Sequence, residues 1–418
     1  MLHKDILSNG IRVVTEELSF VHSVSIGIWV GTGSRYEDKS NHGISHFLEH
    51  MLFKGTKNRT AKQIAESLET VGGQINAFTA KEYTCYYAKV LNDHFDLATD
   101  VLADMLLNSL FRTEDMEKER NVILEEIKMY EDTPDELVHD VYSKTMWQID
   151  PLGQSIIGTS DSVGKISLEQ LVSYYKSTYV PQNVVIAVAG NIKREVVLNK
   201  LEELFSQLSG EKPKTNLVTP QAFSNTAFVP KDIEQMHICL GFPGLPSQHD
   251  SIYALTVLNH VLGGGLSSRL FQEIREERGL TYSIYSYHSG YSNTGLFGVY
   301  AGTSEQNAEE VVEIVLKQIE NIKLKGITRE ELENTKEHIK GTILLSLENS
   351  SNRMNRLGKS EISFGRIITP EEVVEKVMKV THDNIIDIAL KIFGWENLAF
   401  AAVGPKEPNF NLKQMISK

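Results

Sequence analysis

Apolar positions along this chain repeat with two periods, one helical and one extended. Ile44, Phe47, Leu48, Met51 and Leu52 recur on one helical face, predicting a helix capped by Ser40 or Asn41. A second helix is expected over 113–127, with Thr113 as cap and acidic residues in the first turn, where the helix dipole favours them. Its apolar stripe runs Met116, Val122, Ile123, Ile127 and Tyr130. Residues 24–31 read as a strand ending at glycine, and 237–242 repeat that pattern. Residues 184–190 are matched by 398–404 in the same way. A polar stretch with Pro and Gly, about 209–220, separates the two copies. This repeat predicts an α+β chain of two similar domains, each a sheet packed with helices: 1–212, a linker at 213–222, and 223–418.

Length supports the division, because 418 residues exceed what one ordinary core serves. The hydrophobic share of 41% and charged share of 23% are those of a globular chain, and no apolar run nears the roughly 20 residues that span a bilayer. No charged leader with an apolar core opens the sequence, so a cytoplasmic protein with no membrane association is expected. Cys85 and Cys239 form no CxxC pair, which fits a reducing compartment and disfavours a cysteine-built metal site. The net charge of −13 disfavours nucleic acid, whose phosphates are bound by Lys and Arg, and would suit basic peptides.

The first predicted helix carries candidate chemistry. His46 and His50 stand four residues apart, one turn along the same face, and Glu49 projects to that side. Two imidazoles and a nearby unligated carboxylate suit a water-activating zinc, and the spacing is that of the inverted H-x-x-E-H motif. A solvated helix face fits these residues as well, and His42, four before His46, offers a competing pair. The second helix adds Glu119 and Glu126, seven apart on its inward stripe, where a carboxylate is costly unless paired or metal-bound. Glu126 is the natural third ligand, and Glu119 could hydrogen-bond a ligating His. The competing assignment for both is a salt bridge to Arg120 or Lys128.

Aligning the two halves sets Leu255, Leu258 and Asn259 opposite His46, Glu49 and His50, and Thr335 and Thr342 opposite Glu119 and Glu126. The second copy has lost every candidate ligand at once. Its Gly263-Gly264-Gly265 run lacks the Gly-Lys-Ser/Thr ending of a phosphate loop.

His46, Glu49 and His50, followed at this distance by Glu119 and Glu126, resemble the pitrilysin or insulinase family of zinc peptidases, nearest to the short-chain branch with the mitochondrial processing peptidase. The resemblance spans essentially the whole chain. It implies a processing-peptidase-like fold of two homologous domains, each a mostly antiparallel sheet packed with helices. It implies one zinc ion per chain on His46, His50 and Glu126, with Glu49 as general base and Glu119 in support. Arg275 and Tyr282 match an Arg and a Tyr that bind substrate carbonyls and help stabilise the transition state in that family; pairing of Arg275 with a nearby Glu and simple packing of Tyr282 are the alternative.

Residues 72–79 read as two glycines before an alternating edge strand, to which an extended peptide can add. By resemblance, Asn76, Ala77 and Phe78 contact substrate there; an ordinary hairpin strand is the other reading. Short-chain members enclose a chamber between paired subunits, so the expectation is a homodimeric endopeptidase acting on short or unfolded peptides. The alternative function is a non-catalytic peptide-binding or scaffold subunit.

Overall fold

The computed structural model describes residues 1–212 and 217–416. Of the linker expected at 213–222, residues 213–216 lie outside the described residues. Strands are β1 (Leu2–Ile6), β2 (Arg12–Glu17), β3 (Ser23–Val30), β4 (Gln74–Thr79), β5 (Thr84–Leu91), β6 (Val184–Gly190), β7 (Thr226–Pro230), β8 (Gln235–Gly244), β9 (Thr281–Gly290), β10 (Gly295–Ser304) and β11 (Ala399–Gly404). They form two sheets, ordered β1-β2-β6-β3-β5-β4 and β7-β11-β8-β10-β9.

The internal repeat is visible in this topology. In the first sheet β2 and β6 are parallel, whereas β6-β3, β3-β5 and β5-β4 are antiparallel. The second sheet repeats that sequence, with β7 and β11 parallel and the remaining pairs antiparallel. The strands matched in the sequence, β3 with β8 and β6 with β11, hold equivalent places. The fold is two-domain α+β, with helices packed on mixed, mostly antiparallel sheets.

Two compact units result, and both are discontinuous. The first comprises Met1–Lys128, Ser155–Asn216 and Leu345–Ile368; the second comprises Met129–Gln154, Leu217–Leu344 and Thr369–Lys418. Each unit thus takes in a helix from the other half of the sequence. The reason lies in strand period. Along β3, Val24, Ile26, Ile28 and Val30 join the main core of the first unit, while the opposite face carries Ser25, Gly27 and Trp29. That opposite face is covered by helix Ser350–Phe364, whose Met354 and Leu357 pack with Trp29, Val185, Ala187 and Ala189. A Cβ at Gly358 would lie 2.0 Å from the Trp29 indole nitrogen, so glycine is what lets the helix approach the sheet. Glu361, with its side chain fully buried, forms an ion pair with Lys4 of β1 at 2.8 Å and accepts a hydrogen bond from Arg12 of β2 at 3.1 Å.

In the second unit, helix Pro134–Trp147 plays the matching part. Val138, Tyr142, Met146 and Trp147 pack with Cys239, Leu296, Ala399 and Ala401, and the Tyr142 hydroxyl donates to the Phe297 carbonyl at 2.7 Å. No helix among the described residues is long and apolar enough to cross a membrane.

Candidate metal centre

The His helix spans Ile44–Leu52, and the expected stripe of Ile44, Phe47, Leu48, Met51 and Leu52 is buried. The expected cap is replaced by another. The helix begins after Gly43, at φ 93°, and the buried carboxylate of Glu37 accepts from the main-chain N–H groups of Gly43 and Ser45, both at 2.8 Å. Ser40 and Asn41 instead bond locally to Asp38. Burial pushes the Glu37 carboxyl up to about 7, against the opposing pull of these N–H groups, the Ser45 hydroxyl and Lys81.

The carboxylate helix, Thr113–Glu131, buries Met116, Glu119, Ile123 and Ile127. Val122 departs from the expected stripe and is 49% exposed. Arg120 pairs with Glu117 and Lys128 with Glu125, so the salt bridges considered for Glu119 and Glu126 go to other carboxylates of the same helix.

The two helices bring the candidate ligands together. Glu126 Oε1 lies 3.7 Å from His46 Nε2, and its Oε2 lies 3.5 Å from His50 Nε2. Donors around a tetrahedral zinc, with bonds near 2.0–2.1 Å, stand about 3.4 Å apart. Each separation, through a different Glu126 oxygen, is long for a hydrogen bond and close to the spacing of two donors on one such ion. Among the described residues, His46, His50 and Glu126 are the three His, Cys, Asp or Glu groups whose donor atoms converge within 4.8 Å. His42 is directed elsewhere, to the Ser155 carbonyl at 2.7 Å.

Two of the three donors, His46 and Glu126, are shifted toward their proton-free, ligating forms, whereas His50 is shifted toward holding a proton that a metal would have to displace. Burial, helped by neighbouring His50 and opposed by Glu126, holds His46 down to about 4, which keeps its lone pair free of a proton. Burial disfavours a charged His50, but bonding to Glu126 and Glu119 outweighs it and raises the pKa. Glu126 is held below its usual range, chiefly by His50. Glu49 is raised by burial, opposed by a hydrogen bond from Thr79 and by His50. A carboxylate raised in this way is a stronger base.

Around these groups stand residues that periodicity did not single out. Glu119 Oε2 faces His50 Nδ1 at 3.2 Å, as anticipated, but its Oε1 forms an ion pair with the Lys54 ammonium at 2.8 Å. The Thr79 hydroxyl donates to Glu49 Oε2 at 2.5 Å. Thr79 ends β4, which lies at the edge of its sheet as the alternation suggested. On that strand Asn76 Oδ1 accepts from the Ala77 N–H at 2.8 Å, and the Phe78 ring meets Trp29 edge-on at 5.7 Å.

Arg275 and Tyr282 belong to the second unit, where they meet each other. Arg275 lies on a π-helical turn, Phe271–Glu277, with its guanidinium 4.6 Å from the Phe271 ring centre and 5.0 Å from that of Tyr282. Tyr282, on β9, is 79% exposed, and Arg275 approaches Glu276 at 3.8 Å. Leu255 and Leu258, aligned with His46 and Glu49, are core residues of that unit.

Residues 12–160 match the family described as insulinase (peptidase family M16), and residues 165–339 match the peptidase M16 inactive domain. An uncharacterized zinc protease of Bacillus subtilis is 44% identical over 405 residues, 97% of this chain and 98% of that protein. The chain belongs to peptidase family M16. A second relative, an uncharacterized zinc protease of Streptomyces coelicolor, is 40% identical over 96% of this chain and 88% of its own length. Among solved structures, a peptidase M16 inactive domain from Pseudomonas fluorescens superposes with TM-score 0.91 at 19% identity, covering 99% of this chain and 100% of that one. A protease from Helicobacter pylori gives TM-score 0.89 at 23% identity, covering 97% and 99%. These two show the shared M16 fold.

Proposed function

We propose that this M16 chain is a zinc-dependent endopeptidase hydrolysing short or unfolded peptides, with one zinc ion on His46, His50 and Glu126. The observation that carries the reading is the 3.5 and 3.7 Å spacing of the two Nε2 atoms from the Glu126 carboxylate, with the half-buried carboxylate of Glu49 one residue before His50. A zinc ion held there supplies Lewis acidity, which acidifies water and polarises a peptide carbonyl.

Glu49 serves as the base that takes the proton from the attacking water and then returns one to the leaving amine. Thr79 holds one Glu49 oxygen and leaves the other for that exchange. The edge position of β4 suits an extended peptide that adds as a further strand, with the Asn76 side chain first giving up the Ala77 N–H. Asn76, Ala77 and Phe78 are the proposed substrate contacts, and Arg275 with Tyr282 are proposed to bind substrate carbonyls and the developing oxyanion. The working form in this reading is a cytoplasmic homodimer that encloses its substrate.

A peptide library incubated with the full chain, read by mass spectrometry, tests this. Cleavage should stop with a chelator and return with zinc. A zinc-loaded chain that cuts no peptide rejects the peptidase reading. Mixing Glu49→Gln with Arg275→Ala subunits tests assembly, since restored cleavage supports sharing of the two sites across subunits and its absence opposes it.

A further inference from the structure

The oxygen of Glu119 that does not face His50 is held by a side chain from the turn after the His helix. Lys54 Nζ lies 2.8 Å from Glu119 Oε1, while Glu119 Oε2 stands 3.2 Å from His50 Nδ1. Glu119 is 5% exposed, and a carboxylate so buried is costly without a partner. Three carboxylates, Glu49, Glu119 and Glu126, gather around the two imidazoles, and Lys54 brings an ammonium to the innermost of them.

The segment that presents Lys54 is itself fixed. The Lys54 N–H donates to the Met51 carbonyl at 3.1 Å. Just beyond, Thr56, Asn58 and Arg59 donate to the Asp104 carboxylate at 2.6, 2.6 and 2.8 Å, which ties the turn to helix Phe95–Asn108. Lys54 therefore reaches Glu119 from an anchored backbone.

We propose that Lys54 is a positioning residue of the metal centre. It fixes one oxygen of Glu119 so that the other accepts the Nδ1–H of His50, which leaves His50 Nε2 directed at the ion. A partner that orients a metal-bound His is worth one to two orders of magnitude in affinity. The inference rests on the metal reading of His46, His50 and Glu126, and adds to it a residue outside the ligand set. The rival explanation is a bridge between two helices with no effect on the ion.

The test uses the full chain and measures zinc affinity by competition with a chelator of known strength. Lys54→Met keeps the aliphatic stem and removes the ammonium; it should weaken zinc binding roughly tenfold or more. Lys54→Arg should recover most of that loss. In a Glu119→Gln background, Lys54→Met should add less than about threefold, because the group it acts through is already gone. Lys54→Met with unchanged affinity overturns the proposal, as does an equal loss in both backgrounds. Should Lys54→Met fail to fold, Lys54→Gln carries the same comparison. A wild-type chain that binds no zinc removes the metal reading itself, a result distinct from any failure of Lys54.

Discussion

The hydroxyl of Thr79, the last residue of an edge strand, donates to the carboxylate of Glu49 on the His helix at 2.5 Å. The strand proposed to receive substrate is thereby linked to the group proposed to move protons. A hydrogen bond to a charged group is worth about 1.5–3 kcal/mol and fixes which oxygen faces the reaction. Thr79→Val should lower kcat about tenfold, with zinc content unchanged by elemental analysis. Unaltered kcat would show that the hydroxyl does not orient the base.

Glu49 and Glu126 should separate cleanly, because one is proposed as base and the other as ligand. Glu49→Gln should retain zinc and lose activity on the order of 10²–10⁴-fold. Glu126→Ala removes an oxygen now 3.5 Å from His50 Nε2, and should lose zinc along with cleavage. Elemental analysis after gel filtration reads both. Near-normal turnover by Glu49→Gln would remove it from the mechanism.

Glu37 gives a pH dependence of stability with a definite sign. Its carboxyl rises from the usual 4.5 to about 7 in the folded chain, chiefly through burial. Between those values the folded chain holds a proton that the unfolded chain releases. Its contribution is therefore fullest below pH 4.5 and is lost as pH climbs through 7, on the order of 3 kcal/mol in all. Glu37→Gln lacks this titration. Urea unfolding of both proteins at pH 5 and pH 8 should show the variant gaining on the wild type at the higher pH. An identical difference at the two pH values would contradict the shift.

Gly358→Ala tests the covering helix of the first unit. Alanine favours a helix by about 1 kcal/mol over glycine, so an exposed position would gain stability. Here the new methyl would lie 2.0 to 2.6 Å from three atoms of the buried Trp29 indole, and something must shift. Overpacking should dominate, with a net loss of about 1–3 kcal/mol in denaturant unfolding. A stabilised variant would show that the helix does not pack tightly there.

Much of the centre was legible locally. His46, Glu49 and His50 share a face by spacing alone, and the same rule put Glu119 and Glu126 inward on the second helix. The repeat in strand pattern anticipated two sheets with matching topology. What escaped was contributed from a distance. Glu37 caps the His helix from an upstream turn, displacing the local Ser40 or Asn41, because a buried carboxylate there can satisfy two N–H groups at once. Thr79 reaches Glu49 across 30 residues, and Glu119 meets Lys54 across 65, separations at which no periodicity speaks. Val122 was misplaced by one helical position, enough to turn it from the stripe to solvent.

The sequence determined which side chains share a helical face and which strands alternate, since both follow from fixed backbone periods. Tertiary structure decided that Glu126 approaches the two imidazoles at 3.5 and 3.7 Å, and that helices Ser350–Phe364 and Pro134–Trp147 each cover a sheet built mainly from the other half of the chain. Those outcomes depend on burying both faces of each sheet and on partners brought near by packing. Spacing along the chain does not encode either one.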